Sequence, residues 1–498
     1  MEDNEVRVSE RSAYLEPGRN CWRIERADRA ALVVDAADYF RLARQAMLRA
    51  ESQILLIGWD FDTRIFLDHE PDDGAPDRLG PLLSWIAKHR PDVSIHILRW
   101  DLGAPKLLTR GTTIFRLARW AMTRQISFKL DGAHPFGASH HQKVLVVDDR
   151  LAFCGGIDMT ATRWDTRDHL DADKRRRRPT TGRIYEPWHD ATMAVDGGAA
   201  RALGELARER WADAGGKPIA PPDAKRDPWP EALKPAFQKV DVAIARTRGA
   251  YEQITPLREI EALFIDMIVR ARRYIYFENQ FYASRLVAAA IAKRLAEPDG
   301  PEFVLVNPNT VQGWLGEEAM GPVRALLMKQ MAEVDANGRF RIYTPVTEQG
   351  EPIYVHSKIM IADGETLRVG SANLNNRSMG LDSECDLLID ATLEANEGAG
   401  ERIEAILADL LGEHLGTAPD KVAATFAAEG SLVATVEKLR GSGRTLVPLE
   451  IEEPNALECK LAESELLDPE SAGGSDEPAS RPGLFSRARA RFRSRRRR

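Results

Sequence analysis

Apolar positions in this chain fall into a helical spacing that runs into a short buried strand, and the pattern occurs twice. Ala46 to Ile54 leads into Leu55-Leu-Ile-Gly-Trp-Asp60, and Met267 to Tyr274 leads into Ile275-Tyr-Phe-Glu-Asn-Gln280. The next apolar runs are Val93 to Leu98 in one copy and Phe303 to Val306 in the other, followed by Val144 to Val147 and Ile359 to Ile361. Helical stretches alternating with short continuous strands predict an α/β fold, and the duplication predicts two similar α/β halves related by a pseudo-twofold axis. The segment boundaries follow from breaks in this pattern. They are an N-terminal segment 1–30, a first half 31–215, a linker 216–245 rich in Pro and Gly, a second half 246–440, an acidic linker 441–480 and a basic tail 481–498.

The third strand of each half carries the chemistry. His141-Gln-Lys143 precedes one and Asp148 follows it, and His356-Ser-Lys358 and Asp363 flank the other, 215 residues later. Each copy then reaches a pair of small residues, Gly155-Gly156 and Gly370-Ser371. One chance match to H-x-K-x4-D is expected on the order of 0.03 times in such a chain, so two copies in register mark a duplicated site. A single copy would read as a strand with a surface His and Lys.

Further matches surround the motifs: His140-His141, Gly155-Gly156-Ile-Asp158, Arg163-Trp164-Asp165 and Pro187-Trp188-His189-Asp190 in the first half. The second half has Glu278-Asn-Gln-Phe-Tyr282, Gly370-Ser-Ala-Asn373, Asn376-Arg377-Ser378 and Asp382-Ser-Glu384. With these, residues 20 to 420 resemble the phospholipase D superfamily, and most resemble phospholipase D proper of the bacterial type. The resemblance implies a phospholipase D-like fold with one active site where the halves meet.

A phosphodiester repels nucleophiles, so cationic donors must neutralise the charge that its transition state spreads over the oxygens. Lys143 and Lys358 suit that task, with Asn373 and the turns at Gly156 and Ser371 as neutral donors. A neutral imidazole can attack phosphorus, and a second, protonated one can give its proton to the leaving alcohol. The resemblance implies His141 as nucleophile and His356 as general acid, with Asp165 and Glu384 orienting one histidine each and Asp158 in support. Asp148 and Asp363 complete the two candidate catalytic sets. They lie seven residues, roughly 23 Å of extended chain, from His141 and His356, which suits bracing of loops better than contact with substrate.

Trp188 and His189 read equally as a strand end or as pocket lining. Five consecutive cations from Lys174 to Arg178 read either as a solvated loop or as a lip that gathers anionic head groups, with Arg175 and Arg176 as candidate substrate contacts. His69, His89, His96, His134 and His414 show no partner pattern.

Composition narrows the remaining classes. At 43% apolar residues the 498-residue chain can fill two cores. Four cysteines without CxxC spacing suit reduced thiols, and no metal-ligand cluster, phosphate-binding loop or calcium loop occurs, so neither metal nor cofactor is expected. Met1 to Asp28 has no apolar signal core and no run reaches ~18 residues, which implies a cytoplasmic address, peripheral to the inner membrane face, and leaves export without a cleaved signal open. The net charge is −7, yet residues 481–498 hold nine arginines. An acidic body argues against a long nucleic-acid surface. The tail suits an anionic lipid surface, with Leu484, Phe485 and Phe492 able to enter it. The expected partner is therefore a phospholipid membrane, and the expected state a monomer. Three activities compete: phospholipase D hydrolysis or head-group exchange, a cardiolipin-synthase-like phosphatidyl transfer, and a nuclease-type phosphodiesterase.

Overall fold

Gln53–Gly58, Val144–Val147 and Ile359–Ala362 are almost wholly buried, with no alternation of exposed and covered positions. Such strands need cover on both faces, and the computed structural model shows how they obtain it. It describes residues 14–101, 111, 113–310, 320–450 and 468–469. The basic tail and most of the acidic linker lie outside the described residues.

Strands of the first half are β1 (Arg23–Val34), β2 (Gln53–Gly58), β3 (Ser94–Trp100) and β4 (Ile126–Asp131), then β5 (Val144–Val147), β6 (Leu151–Gly155), β7 (Trp188–His189) and β8 (Ala191–Asp196). The second half opens with β9 (Phe237–Arg248), β10 (Leu257–Arg258), β11 (Tyr274–Glu278), β12 (Glu302–Val306) and β13 (Phe340–Val346). It continues with β14 (Tyr354–Val355), β15 (Ile359–Ala362), β16 (Thr366–Gly370), β17 (Glu384–Asp390) and β18 (Thr445–Pro448).

All but β7 and β14 join one sheet, ordered β4-β3-β2-β5-β6-β8-β1-β9-β17-β16-β15-β11-β12-β13-β18, with β10 beside β9. Read outward from the β1–β9 seam, the order is the same in both directions: β8 matches β17, β6 matches β16, β5 matches β15 and β2 matches β11. The pseudo-twofold axis therefore passes between β1 and β9, which pair antiparallel from Arg23↔Ile244 to Ala30↔Phe237.

Alternate residues of each strand serve opposite cores. Leu55, Ile57, Val144 and Val146 pack with Ile359, Ile361 and the helices Gly197–Asp213 and Ala399–His414 in a core common to both halves. Ile54, Leu56, Leu145 and Val147 pack on the other face beneath Ala36–Leu48 and Leu79–His89. In the second half Ile275, Phe277, Phe303 and Leu305 lie beneath Glu259–Arg270 and Arg285–Leu295. The result is three layers, α on β on α.

The segment boundaries need correction at the seam. β1 begins at Arg23, inside the stretch read as an N-terminal segment, and β9 occupies 237–245 of the stretch read as a linker. β1 mixes exposed Arg26 and Asp28 with buried Ala and Val, and β9 mixes exposed Gln238 and Lys239 with buried Val, Ala and Ile, so neither shows the continuous apolar run of the inner strands. β18 carries the sheet past residue 440 into the stretch read as acidic linker. Cys21, Cys154 and Cys385 are buried free thiols. Among the described residues no helix is long and apolar enough to cross a membrane.

Asp148 and Asp363 sit in the hairpin turns after β5 and β15 at φ 56° and 58°, a conformation that Asp tolerates better than most residues. The Asp148 carboxylate accepts from the backbone N–H groups of Glu51, Ser52 and Gln53 at 2.6, 2.9 and 2.6 Å. Asp363 accepts from those of Arg272, Arg273 and Tyr274 at 2.8, 2.8 and 3.0 Å. Neither aspartate is placed at the histidines, so the two leave the candidate catalytic set; each fastens the entry of β2 or β11 to the motif strand. Asp148→Ala would strand three N–H groups in a buried site and is expected to cost roughly 2–4 kcal/mol. Asp363→Ala, in a half-exposed site, is expected to cost less. Denaturant unfolding of the two variants checks the order.

Candidate active site

Each motif histidine enters the site at the point where the halves pair backbone to backbone. The His356 N–H donates to the carbonyl of His189 at 2.7 Å, and the His141 N–H donates to that of Ser383 at 2.9 Å. In both cases the next residue of the partner strand supplies a carboxylate. Asp190 accepts from His356 Nδ1 at 2.7 Å. Glu384 accepts from His141 Nδ1 at 3.0 and 3.1 Å. The symmetry thus crosses the interface, and each histidine is oriented by the acid of the opposite half. Since Nδ1 is engaged, Nε2 is the ring nitrogen left for chemistry.

The small-residue turns fit these acids. A Cβ on Gly156 would come 2.1 Å from Asp190 Oδ1, so glycine is required where the short aspartate must reach its histidine. At the matching position Ser371 lies beneath the longer Glu384 and donates its hydroxyl at 2.5 Å, while Ser378 Oγ donates to the other oxygen at 2.7 Å. Lys143 Nζ donates to the His141 carbonyl at 2.7 Å and stands 3.3 Å from Asp158 Oδ2. Asp158 also accepts from Trp59 N at 3.0 Å. Lys358 Nζ donates to the His356 carbonyl.

Both histidines line a cleft of about 810 Å³ with Asn373, Arg163, Arg178, Arg377 and Arg64. Asn373 Oδ1 is buried without a hydrogen-bond partner. Trp188 stacks on Tyr354 at 4.5 Å, lies 5.2 Å from the His356 ring and has the Arg163 guanidinium over its ring at 4.3 Å. Trp59, stacked on Trp100 at 5.7 Å, joins Phe281 and Met320 in an apolar wall. A cleft with guanidinium groups around it, an apolar wall and two imidazoles suits an amphiphile with an anionic phosphate.

Burial and neighbouring cations set the protonation. Both histidines are held well below the usual imidazole range, first by burial and then by lysine, Lys143 and Lys358 at His141 and Lys358 at His356. Burial brings Lys358 down to about 7. Burial also pushes Asp190 up to about 6 and Glu384 up to about 8, against the lowering effect of Lys358 and Lys143 respectively. Burial and the lysines thus favour the neutral form of both rings, the form a nitrogen nucleophile needs.

Four expected site residues lie elsewhere. Asp165 orients neither His141 nor His356. It is buried against Arg176 at 3.0 Å and His169 at 3.0 Å and accepts from Trp188 N at 2.9 Å. Arg176 is 0% exposed and carries no lip; Asp165 and the carbonyls of Asp171 and Tyr185 consume its donors. Arg175 is paired with Asp173 at 2.6 Å and lies over Trp164. From the five-cation run it is Arg178 that reaches the cleft. His189 points away from the cleft, between Glu413 and Glu278 at 2.9 and 2.8 Å. The acid that sequence reasoning missed is Asp190. Its signal was present: Asp190 immediately precedes a strand with Asp196 six positions on, and Glu384 opens one with Asp390 six positions on.

Comparison with known proteins places the chain in a family. The family model described as phospholipase D matches residues 46–285, and that described as cardiolipin synthase, PLD-like domain, matches 264–406. The chain belongs to the phospholipase D superfamily. Among curated relatives of this superfamily, phospholipase D A of Dictyostelium discoideum is 26% identical over 429 residues, 70% of this chain and 32% of its own length. Phospholipase D alpha 4 of Arabidopsis thaliana is 21% identical over 486 residues, 75% of this chain and 62% of its own length. The chain spans about a third of the first of these relatives. Phosphatidylserine synthase of Haemophilus influenzae shares the fold at a TM-score of 0.54 and 12% identity, covering 84% of this chain and 98% of that one.

Proposed function

We propose that this protein of the phospholipase D superfamily hydrolyses phospholipids to phosphatidic acid and a free head group through a phosphohistidine. One observation carries the reading: two imidazoles from opposite halves share a cleft, each held at Nδ1 by the other half's carboxyl group. His141 Nε2 attacks phosphorus and forms a P–N bond. The bond from phosphorus to the head-group oxygen breaks, and a proton on His356 Nε2 goes to that oxygen. Lys143 and Lys358 offset the charge on the phosphoryl oxygens. Water then enters where the head group left and gives its proton to His356. The P–N bond breaks, releasing phosphatidic acid and restoring both rings. His356 takes up its first proton only after an anionic phosphodiester has offset the lysines that depress it. No step calls for a metal or cofactor, and the substrate is presented by a membrane surface.

An alcohol can enter in place of water, which is the phosphatidyl-transfer reading; the match of residues 264–406 to the cardiolipin synthase model supports keeping it second. Incubating the purified protein with mixed phospholipid vesicles, with and without a primary alcohol, tests both. Release of head group with phosphatidic acid is the expected result, and phosphatidyl alcohol in the second arm gives the transfer. Cleavage of nucleic acid with neither lipid product would overturn the proposal.

A further inference from the structure

Behind the Asp190–His356 pair lies a second cluster, outside the cleft and made from both halves. Asp35 precedes the helix Ala36–Leu48, His169 follows the Arg163-Trp164-Asp165 stretch, His189 ends β7, and Glu413 comes from the helix Ala399–His414 of the second half. One donor atom of each lies within 4.8 Å of all the others. His169 Nε2 stands 3.1 Å from Glu413 Oε1 and 3.4 Å from Asp35 Oδ2. His189 Nδ1 stands 2.9 Å from Glu413 Oε1 and 3.3 Å from Asp35 Oδ1.

Two of these separations are hydrogen-bond lengths as they stand, and all four come close to the spacing a four-coordinate ion needs. Ligand atoms near 2.1 Å from a tetrahedral zinc are roughly 3.4 Å apart. The far side of each ring is prepared as well. His169 Nδ1 faces Asp165 at 3.0 Å, and His189 Nε2 faces Glu278 at 2.8 Å. A carboxylate on the second nitrogen is the usual support of a metal-bound histidine, because it fixes the tautomer that leaves the first nitrogen free. Asp35 is 1% exposed, yet its Oδ2 has no hydrogen-bond partner. With neutral rings, a dication answers Asp35 and Glu413, Arg176 answers Asp165, and Arg167 bridges Glu413 and Asp409.

We propose that Asp35, His169, His189 and Glu413 bind one divalent cation of the zinc class, a structural centre that clips the helix Ala399–His414 to the first half behind the active site. Its link to the reaction is mechanical. Asp35 N donates to the Asp190 carbonyl at 2.7 Å, Asp190 N donates to Asp35 Oδ1 at 3.1 Å, and the His189 carbonyl holds His356 N at 2.7 Å.

The test uses the full chain, purified, stripped with a chelator and reconstituted with Zn²⁺ or Co²⁺. About one zinc per chain, a melting temperature that falls on chelation and recovers with Zn²⁺, and visible Co²⁺ bands of a four-coordinate site are expected. Asp35→Asn, which keeps the oxygen that accepts from Asp190, is expected to lose the bands and the stoichiometry. Glu278→Gln is expected to weaken zinc about 10–100-fold in competition with a chromophoric chelator. Both variants guard against a surface ion, which neither would disturb. Reconstituted protein with no more than trace zinc and a melting temperature indifferent to chelator would overturn the proposal, and the cluster would then be a proton-held ion network only.

Discussion

His141→Ala and His356→Ala are each expected to lower turnover on phospholipid vesicles by about 10⁴-fold or more, and the double variant little further, because a nucleophile and its acid act as one unit. Neither change should unfold the protein. Each ring contributes one side-chain hydrogen bond to a carboxylate, and backbone pairing across the interface survives because it uses the main chain of residues 141 and 356. The histidine roles can be separated with a substrate whose leaving group needs no proton. On a nitrophenyl phosphodiester, His356→Ala should retain the first half-reaction and accumulate the phosphohistidine, and His141→Ala should form none. Acid quench and mass analysis of residue 141 reads the result. Label on His356 instead would reverse the assignment, and near-wild-type turnover in either variant would end the two-histidine mechanism.

What the sequence disclosed and what it hid divide along physical lines. The inner strands were legible because burial on both faces leaves only Val, Leu and Ile, and the motif residues were legible because they stand at fixed offsets from those strands. The seam strands β1 and β9 were not, since partial exposure mixes Arg and Lys into them. Of the two acids expected to orient one histidine each, Glu384 does so at His141, and Asp165 orients neither. Asp190 takes the place because β7 pairs with β14, a contact between residues 166 positions apart that no local pattern encodes. The charge run from Lys174 to Arg178 reads as exposed whether as a solvated loop or as a lip, but Arg176 turns inward to a buried carboxylate and its neighbours meet solvent. His414, which carried no partner pattern, lies buried on Glu278 at 3.1 Å, again a partner supplied by the fold.

The second large effect concerns those acids. Asp190→Asn and Glu384→Gln are each expected to reduce kcat/KM by about 10²–10⁴-fold, because a neutral partner no longer fixes the tautomer that leaves Nε2 free nor stabilises the charged ring. Glu384 adds a pH signature. Burial holds its carboxyl up to about 8, so below that pH it keeps its proton, donates to His141 Nδ1 and leaves the ring's own proton on Nε2. Above it the carboxylate accepts from Nδ1 and frees Nε2. Wild-type kcat/KM is therefore expected to rise from pH 6 and level off past about 8, and the Gln variant to lack that rise. Stability should move the opposite way. A carboxyl whose folded-state pKa lies above its unfolded value binds more protons in the folded state, so its contribution declines as pH rises from the ordinary carboxylate range through about 8. Glu384→Gln removes this decline, and its melting temperature at pH 9 is expected to equal or exceed that of wild type while activity is lost. A Gln variant that melts lower at every pH and keeps its activity would show that Glu384 braces Ser371 and Ser378 rather than directing His141.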